Sequence, residues 1–457
     1  MQRTAGARHD SDVAITRPLA EFASTLRYED IPADALAVAR HCLLDVIGVT
    51  LAGMDEPLVT MLREQVAEDG GNPQATLIGH GGKVSTGQAA LVNGSAAHAL
   101  DFDDVLGVMT GHPTVPVMPA ALALGEWKGL DGKALLTAFV AGVEIEGRLG
   151  ASMGDSHYAR GWHATGTFGT FGAAAACARM LGLDPAATAR ALGIAGTSAA
   201  GLKSMFGTMC KPLHAGRAAE NGLRAARLAA RGFTTREDVL DCAQGFADTQ
   251  ADEFRPQAAI EGLGTRWHTP DVLFKYHPAC YGTHAPIEAA RAIRANPAFD
   301  PAKVERVEVR VAPSCLKMCN IPDPTTGLEA KFSLRYTVGL GLAGQATGGL
   351  ESYFDESVGR EEVRRLLELC RVESVDDQKF TMAEVVVHQK DGLVLRERRD
   401  VGEPMRDLSG QWAKLRTKFE ALTGPILGEK RAAEVVSLVE GIDGAAKLDP
   451  LLAATVR

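Results

Sequence analysis

The chain has 457 residues, 46% of them apolar, and a formal net charge of −9. This length exceeds one ordinary hydrophobic core, so two domains are the first expectation. The acidic balance argues against a nucleic-acid-binding surface, which is usually basic. The polar segment from Met1 to Pro18 contains no signal-peptide core, and we find no apolar run of the roughly 18 residues that span a bilayer. We therefore expect a soluble, cytoplasmic protein without nucleic-acid or membrane partners.

The first part of the chain has a helical hydrophobic period, from Leu19 to about Phe233. Pro32 and Gly53 stand where start and stop signals of a helix often lie. The helical segments are rich in Ala and Gly, which lets helices approach closely and favours a tightly packed bundle. The predicted helices are 33–53, 88–100, 115–127, 132–149, 167–181, 185–202 and 216–231.

The pattern changes after about Phe274. Residues 304–311 alternate between apolar and polar side chains, which predicts a strand. Two further runs, 383–388 and 393–399, flank Lys390-Asp391-Gly392, and Asp-Gly between such runs indicates a hairpin. The remaining predicted helices are 283–296, 333–342, 411–422 and 430–442.

These patterns predict a mainly α protein with an α+β second domain. The predicted divisions are a helical domain at 1–270, an α+β domain at 271–405, and C-terminal helices at 406–457 that return to the helical domain. The eight cysteines are dispersed, which favours reduced thiols over a disulfide framework. Cys315 and Cys319 form the one close pair, and without a second pair or a nearby His this is a weak zinc signal.

The most informative segment runs from Ala97 to Pro119, because it places charged groups next to apolar helices. Its ionisable side chains are His98, Asp101, Asp103, Asp104 and His112. Charge beside a core costs several kcal/mol unless it is paired or hydrogen-bonded. The cluster could serve a metal such as Mg²⁺ or Zn²⁺, proton transfer, or an ion-pair network.

Two further motifs carry chemistry within the helical part. His163 precedes a predicted helix, whose dipole lowers the pKa of a nearby imidazole and favours a neutral base or donor. A capping or core histidine is the alternative. Lys211 lies among apolar neighbours, and we expect it on a loop between helices, with Pro212 ending one helix and Gly216 opening the next. Such a lysine either reaches solvent or holds an anionic ligand.

The start of the second domain is also polar. Residues 277–284 contain two histidines, a tyrosine and Cys280. They lie at the predicted boundary between the two domains, and ligand sites are common at such boundaries. A polar turn capped by Thr283 is the alternative. Lys331 and Tyr336 follow near another predicted helix start. The Gly-rich stretch 79–84 lacks the Walker pattern, and no Gly-x-Gly-x-x-Gly follows a strand, so nucleotide binding has little support.

Taken in chain order, six motifs resemble the MmgE/PrpD family, which contains 2-methylcitrate dehydratase, cis-aconitate decarboxylase and iminodisuccinate epimerase. The motifs are His98-x-x-Asp101-Phe102-Asp103-Asp104, Gly111-His112-Pro113, Gly161-Trp162-His163, Gly207-Thr208-Met209-Cys210-Lys211-Pro212-Leu213-His214, Tyr281-Gly282-Thr283-His284 and Lys331-Phe332-Ser333. The resemblance implies a large helical domain, a smaller α+β lid domain, a homodimer, a site between the domains, and no metal or organic cofactor.

The resemblance also implies site residues. We assign catalytic roles to Asp101, His112, His163 and Lys211, and substrate binding to Tyr336, Cys280, Arg160 and Lys331. In this hypothesis Lys211 and a protonated histidine hold substrate carboxylates, and Asp101 orients His112 through a hydrogen bond. His163 or His112 removes a proton from carbon, and Tyr336 or Cys280 delivers one.

Two positions depart from the decarboxylases that this chain resembles. Val105 stands where they have a Thr, and Cys280 stands where they have a His. Residues 109–113, 157–163 and 280–284 look closest to the iminodisuccinate epimerase branch. We therefore expect a dehydratase or epimerase that acts next to a carboxylate of a small di- or tricarboxylic acid. The alternatives are a decarboxylase-like lyase and a catalytically silent relative that acts as a binding protein.

Overall fold

The computed structural model describes residues 13–457, so residues 1–12 of the segment predicted to lack a signal-peptide core lie outside the described residues. The chain divides into two compact units. Unit 1 comprises residues 13–274 and Met405–Arg457, and unit 2 is Lys275–Pro404. Unit 1 is almost entirely helical, whereas the larger sheet belongs to unit 2. The predicted class, mainly α with an α+β second part, is confirmed.

The first stretch of unit 1 carries eleven of the described α-helices and one two-residue strand pair, β1 (Ala75–Thr76) and β2 (Lys83–Val84). The helices are α1 (Thr16–Thr25), α2 (Ala33–Gly53), α3 (Pro57–Asp69), α4 (Thr86–Ala99), α5 (Thr114–Lys128), α6 (Gly132–Ala159), α7 (Ala164–Met180), α8 (Pro185–Ser198), α9 (Cys210–Ala229), α10 (Phe246–Gln250) and α11 (Pro256–Ile260).

Local capping explains where several of these helices begin. Ser85 accepts from the backbone N–H of Gln88, whose side chain bonds back to Ser85, so α4 starts with a capping box. Asp131 caps α6, its carboxylate accepting from the backbone N–H of Ala134 at 2.7 Å. The predicted end of this helix, at residue 149, is too early, because α6 continues past a non-helical residue, Gly154, to Ala159.

Helices α4 and α9 cross at two glycines. A Cβ on Gly94 would lie 3.0 Å from the Cα of Gly216, and a Cβ on Gly216 would lie 2.2 Å from the Leu91 carbonyl oxygen. The expectation that Gly216 opens a helix is therefore wrong: Gly216 lies inside α9, at a contact that only glycine permits. The crossing brings the first turn of α9 next to the end of α4.

The structure also corrects the expectation about apolar runs. Helix α2 contains an 18-residue window with mean hydropathy 1.6, so one described helix is long and apolar enough to cross a membrane by length and composition. In unit 1, however, 78% of that window is buried, and α4 packs against the helix. Its apolar surface is covered by protein, as in the core helix of a globular unit.

Unit 2 is built on a four-stranded sheet in the order β4-β3-β5-β6. The strands are β3 (Val304–Val311), β4 (Cys370–Ser374), β5 (Met382–Gln389) and β6 (Val394–Asp400), and the helices are α12 (His284–Arg294), α13 (Pro313–Met318), α14 (Gly327–Ala330), α15 (Leu334–Leu342), α16 (Asp355–Val358) and α17 (Glu361–Glu368). Strand β3 pairs parallel with β4 and antiparallel with β5. The predicted hairpin is β5–β6, whose turn contains Gly392 at φ +85°. Strand β4 has no counterpart among the predicted strands.

The last part of the chain belongs to unit 1 and supplies α18 (Leu408–Leu427), α19 (Glu429–Glu440) and α20 (Asp449–Ala454). Helix α18 packs against α2, where the ring of Phe419 lies over Gly48. Lys418, the residue before Phe419, is buried by the same contact. The C-terminal helices are therefore part of the core of unit 1.

Candidate active site

The candidate site lies in unit 1, around the loop that joins α4 to α5. Asp101 follows α4 in the left-handed region, with φ +52°, which turns the chain sharply after the helix. Backbone pairing between Leu106 and Gly111 closes the loop. The backbone N–H of His112 then donates to Thr165 Oγ1 at 3.0 Å, which fixes His112 against the start of α7.

Six side chains converge here, and we call them the polar cluster: His98, Asp101, Asp103, His112, His163 and Lys211. The Lys211 ammonium lies 2.8 Å from Asp101 Oδ1. His112 Nε2 lies 3.8 Å from the same oxygen. These three side chains keep 13–18% of their surface exposed, so this face of the cluster is in partial contact with solvent.

Lys211 lies in the first turn of α9, so the expected loop position is wrong. Pro212 follows it without breaking the helix, because the first N–H groups of a helix have no intrahelical partner. The Lys211 ammonium also lies 5.6 Å from the centre of the Phe206 ring. The helix start thus holds the lysine in a defined position facing Asp101.

Asp103 joins two imidazoles in the buried part of the cluster. Its oxygens lie 2.9 and 3.1 Å from His98 Nδ1, and one lies 2.9 Å from His112 Nδ1. Burial alone would raise the pKa of Asp103, but the two histidines outweigh it and hold that pKa well below its usual range. Asp103 therefore contacts His112 more closely than Asp101 does, which corrects the expected Asp101–His112 hydrogen bond.

His98 and His163 are neutral at physiological pH. Burial lowers the pKa of His98 to about 4, although Asp103 opposes the shift. His98 Nε2 is buried without a hydrogen-bond partner among the described residues, and an imidazolium would leave an unpaired N–H there. Burial is the largest cause that holds the pKa of His163 well below its usual value, and the nearby Lys211 cation acts in the same direction.

His163 is the residue before α7, and its ring stacks on the His98 ring with 5.9 Å between the ring centres. Its backbone N–H donates to the Gly201 carbonyl at 2.9 Å. Its Nδ1 lies 3.0 Å from Nδ1 of His214, which is on the first turns of α9. His163 is thus attached both to the cluster and to the helix that carries Lys211.

A buried lysine lies behind the loop. The Lys418 ammonium lies 2.7 Å from Asp45 Oδ1 and donates to the Phe102 carbonyl at 2.7 Å. It also lies 3.9 Å from the centre of the Phe102 ring. Asp104, the next acid along the loop, accepts hydrogen bonds from the backbone N–H and the hydroxyl of Thr114. Its burial and the nearby Asp45 carboxylate raise the pKa of Asp104 to about 7. The C-terminal tail therefore anchors the loop that presents Asp101.

The other predicted site residues make contacts within their own units. The Arg160 guanidinium binds the Ala251 carbonyl at 3.2 Å and lies 3.3 Å from Asp252. Tyr336, Cys280 and Lys331 belong to unit 2. The Tyr336 hydroxyl donates to the Ser352 carbonyl at 2.6 Å, Cys280 is buried, and Lys331 is partly buried. Their substrate-binding roles stay predictions.

A metal site is the alternative interpretation of the cluster. One ligand atom from each of His98, Asp101, Asp103 and His112 lies within 4.8 Å of the others. The Lys211 ammonium, however, already pairs with Asp101, so a divalent ion on these atoms would meet a fixed positive charge. The Lys211 ammonium therefore disfavours a resident cation on these atoms. A separate cavity of about 500 Å³, lined by arginines of α9, contains none of the predicted site residues.

Two members of the cluster, His98 and Asp103, were not assigned catalytic or binding roles from the sequence. Two residues outside it were not assigned either: His214, which contacts His163, and the distant Lys418, which holds the loop at Phe102. The spacing of His214, three residues after Lys211 on one helix face, is a usable signal once α9 is known to begin at Cys210. No local signal exists for Lys418, which lies 316 residues from Phe102.

Comparisons with known proteins agree with the six motifs. The MmgE/PrpD N-terminal domain matches residues 17–259, and the MmgE/PrpD C-terminal domain matches residues 277–443. The chain is 28% identical to a cis-aconitate decarboxylase of Aspergillus terreus, over 96% of this chain and 95% of that protein. It is 29% identical to cis-aconitate decarboxylase of Mus musculus, over 94% and 91%. The human enzyme of that name is 28% identical, over 94% and 92%. With both domains matched in order, the chain belongs to the MmgE/PrpD family.

Proposed function

We propose that this chain is a cofactor-independent acid–base enzyme that acts on carbon next to a carboxylate of a small di- or tricarboxylic acid. The observation that carries the proposal is the polar cluster, in which the Lys211–Asp101 pair lies beside neutral imidazoles. Lys211 offers fixed positive charge for a substrate carboxylate, with Asp101 as the counter-ion that the substrate displaces.

The chemistry requires this combination. A C–H group next to a carboxylate is a very weak acid, because loss of its proton leaves a second negative charge beside the carboxylate. The site must therefore provide a base and a positive charge that is already in place. His163 is neutral and can accept a proton, while Lys211 stabilises the charge that develops on the carboxylate. A positioned acid or base contributes about 10²–10⁴ in rate.

The finer assignment is a dehydratase or an epimerase. Both reactions begin with removal of the proton from the carbon next to the carboxylate. In the dehydratase the second step is loss of the hydroxyl group as water. In the epimerase it is return of a proton to the opposite face of the carbon. Val105 and Cys280 favour this assignment, because the resembled decarboxylases have Thr and His at those positions. The second candidate is decarboxylation, and its support is the similarity to cis-aconitate decarboxylases over nearly the whole chain.

The deciding experiment follows 2-methylcitrate, citrate, cis-aconitate and iminodisuccinate by NMR in D₂O with the purified full chain. Deuterium entry without loss of water or carbon dioxide identifies an epimerase, and an alkene formed from 2-methylcitrate or citrate with loss of water identifies a dehydratase. Release of carbon dioxide from cis-aconitate establishes the second candidate. A chain that binds these acids without any turnover is a binding protein, and the proposal is then wrong.

A matched pair of variants ties the activity to the cluster. Lys211→Met removes the cation that faces Asp101. Lys203→Met removes another partly buried lysine of unit 1, whose ammonium bonds to the Tyr158 carbonyl. We expect the first variant to lose turnover and the second to retain it. Equal activity in the two variants would remove Lys211 from the site.

A further inference from the structure

The contact between His163 and His214 bears on the direction of proton transfer. The two Nδ1 atoms lie 3.0 Å apart, which is hydrogen-bond distance. Burial lowers the pKa of both rings, so each is neutral near pH 7. A neutral imidazole has one N–H and one lone pair. In this pair one Nδ1 therefore donates and the other accepts.

The backbone holds the pair in place. Gly201, at φ +153°, lies against both residues: a Cβ there would be 3.3 Å from His214 Cγ and 3.4 Å from His163 Cβ. The Gly201 carbonyl accepts the backbone N–H of His163. His214 extends from α9 one turn after Lys211, so the helix that positions the cluster's cation also positions this ring.

The two possible arrangements give His163 opposite functions. If His214 donates, His163 carries its proton on Nε2 and can only donate to a substrate. If His163 donates, its Nε2 holds a lone pair and can remove a proton. Which nitrogen carries the proton is therefore set by the partner of the other nitrogen.

We propose that His214 is a positioning residue that accepts the Nδ1–H of His163 and so keeps a lone pair on His163 Nε2. This inference rests on the proposed function and names His163 as the base. Because Nδ1 of His163 faces His214, Nε2 is the ring nitrogen left to act on a substrate, and the base that the proposed function requires needs a lone pair there. Besides burial, the Lys211 cation lowers the pKa of both rings, so it acts on each member of the pair.

The arrangement also assists the reaction. When His163 Nε2 takes the proton from carbon, the ring becomes an imidazolium. Its Nδ1–H bond to His214 is then charge-assisted, and such bonds are roughly twice as strong as neutral ones. The pair therefore stabilises the ring in the protonated state that forms during the reaction.

The test is the tautomer of His163 in the intact protein, measured by ¹⁵N NMR near pH 7.5 on chain labelled at histidine. The His163 signal is identified by its loss in His163→Gln. We expect a protonated Nδ1 and an unprotonated Nε2 in the wild type. His214→Leu removes the acceptor, so the tautomer ratio shifts toward Nε2–H. His214→Asn restores the tautomer, because its amide oxygen can accept.

Kinetics on the substrate identified above provide the second readout. We expect kcat to fall about 10- to 100-fold in His214→Leu and to recover largely in His214→Asn, with KM changed less than about threefold. His80→Leu, which removes another partly buried histidine of unit 1, is the matched control and keeps wild-type kcat.

Two results would overturn the inference. One is a wild-type His163 that carries its proton on Nε2. The other is a His214→Leu protein whose His163 tautomer and kcat both match the wild type. The wild-type tautomer is measured without His214→Leu and without a substrate, so it remains decisive if His214→Leu does not fold. A chain without turnover but with the expected tautomer would refute the proposed function, whereas the inferred hydrogen bond from His163 to His214 would still be supported.

Discussion

The buried pair of Lys418 and Asp45 gives the sharpest stability prediction. Lys418→Met keeps a long side chain of similar volume but removes the ammonium. The change leaves the Asp45 carboxylate, 2% exposed, without its cation, and the Phe102 carbonyl without its donor. We expect a large loss of stability, because the remaining charge cannot be solvated.

The magnitude comes from burial. Removing one partner of a buried ion pair costs about 3–5 kcal/mol, whereas an exposed pair contributes about 0–1 kcal/mol. The unfolding entropy is about 2 cal/mol/K per residue, so a unit of roughly 300 residues loses about 1.5 °C of Tm for each kcal/mol. Lys418→Met should therefore lower the Tm of unit 1 by about 5–8 °C.

Calorimetry of the single and double variants provides the assay. Asp45→Asn in the Lys418→Met background removes the remaining carboxylate charge, and we expect it to recover about half of the loss. The control is Arg27→Met, which breaks an exposed pair with Asp30 and should change Tm by less than about 1 °C. A Lys418→Met protein whose Tm lies within about 1 °C of the wild-type value would refute the argument that this buried charge is structural.

Three further predictions concern the cluster and its surroundings. Lys211→Met should lower kcat/KM at least about 10³-fold while Tm changes by less than about 2 °C, because the side chain is partly exposed; circular dichroism and kinetics measure both. Asp104 has a folded-state pKa of about 7, above its unfolded value of 3.8. The folded state therefore keeps a proton that the unfolded chain releases, and the free energy of unfolding falls as pH rises from about 4 to 7. Asp104→Asn cannot titrate, so its stability relative to wild type should grow by about 2–4 kcal/mol between about pH 4.5 and 8 in urea titrations, and a difference independent of pH would contradict this. Dialysis against a chelator should leave kcat unchanged, because Lys211 already neutralises Asp101; an activity that is lost and then restored by Zn²⁺ or Mg²⁺ would establish the metal alternative.

Local sequence patterns determined much of the secondary structure. The apolar period of α2 and its flanking Pro32 predict the bounds Ala33–Gly53 that the structure has. The alternation in β3 and the Asp-Gly turn before β6 likewise predict a strand and a hairpin that are present. These features depend on neighbours within a few residues, so the local sequence is enough to predict them. The order of the six motifs along the chain likewise indicated the family, since it requires no knowledge of contacts.

Contacts between distant segments were decided only by the tertiary structure. The sequence put Asp101 beside His112, yet Asp103 is the carboxylate that lies closest to His112, because the loop turns at Asp101. It gave no reason to connect Lys418 with Phe102, or His163 with His214. Such pairs depend on where helices cross and which turn of each faces the other. The spacing of apolar residues along the sequence indicates which residues are buried, but it does not indicate which distant residues they contact.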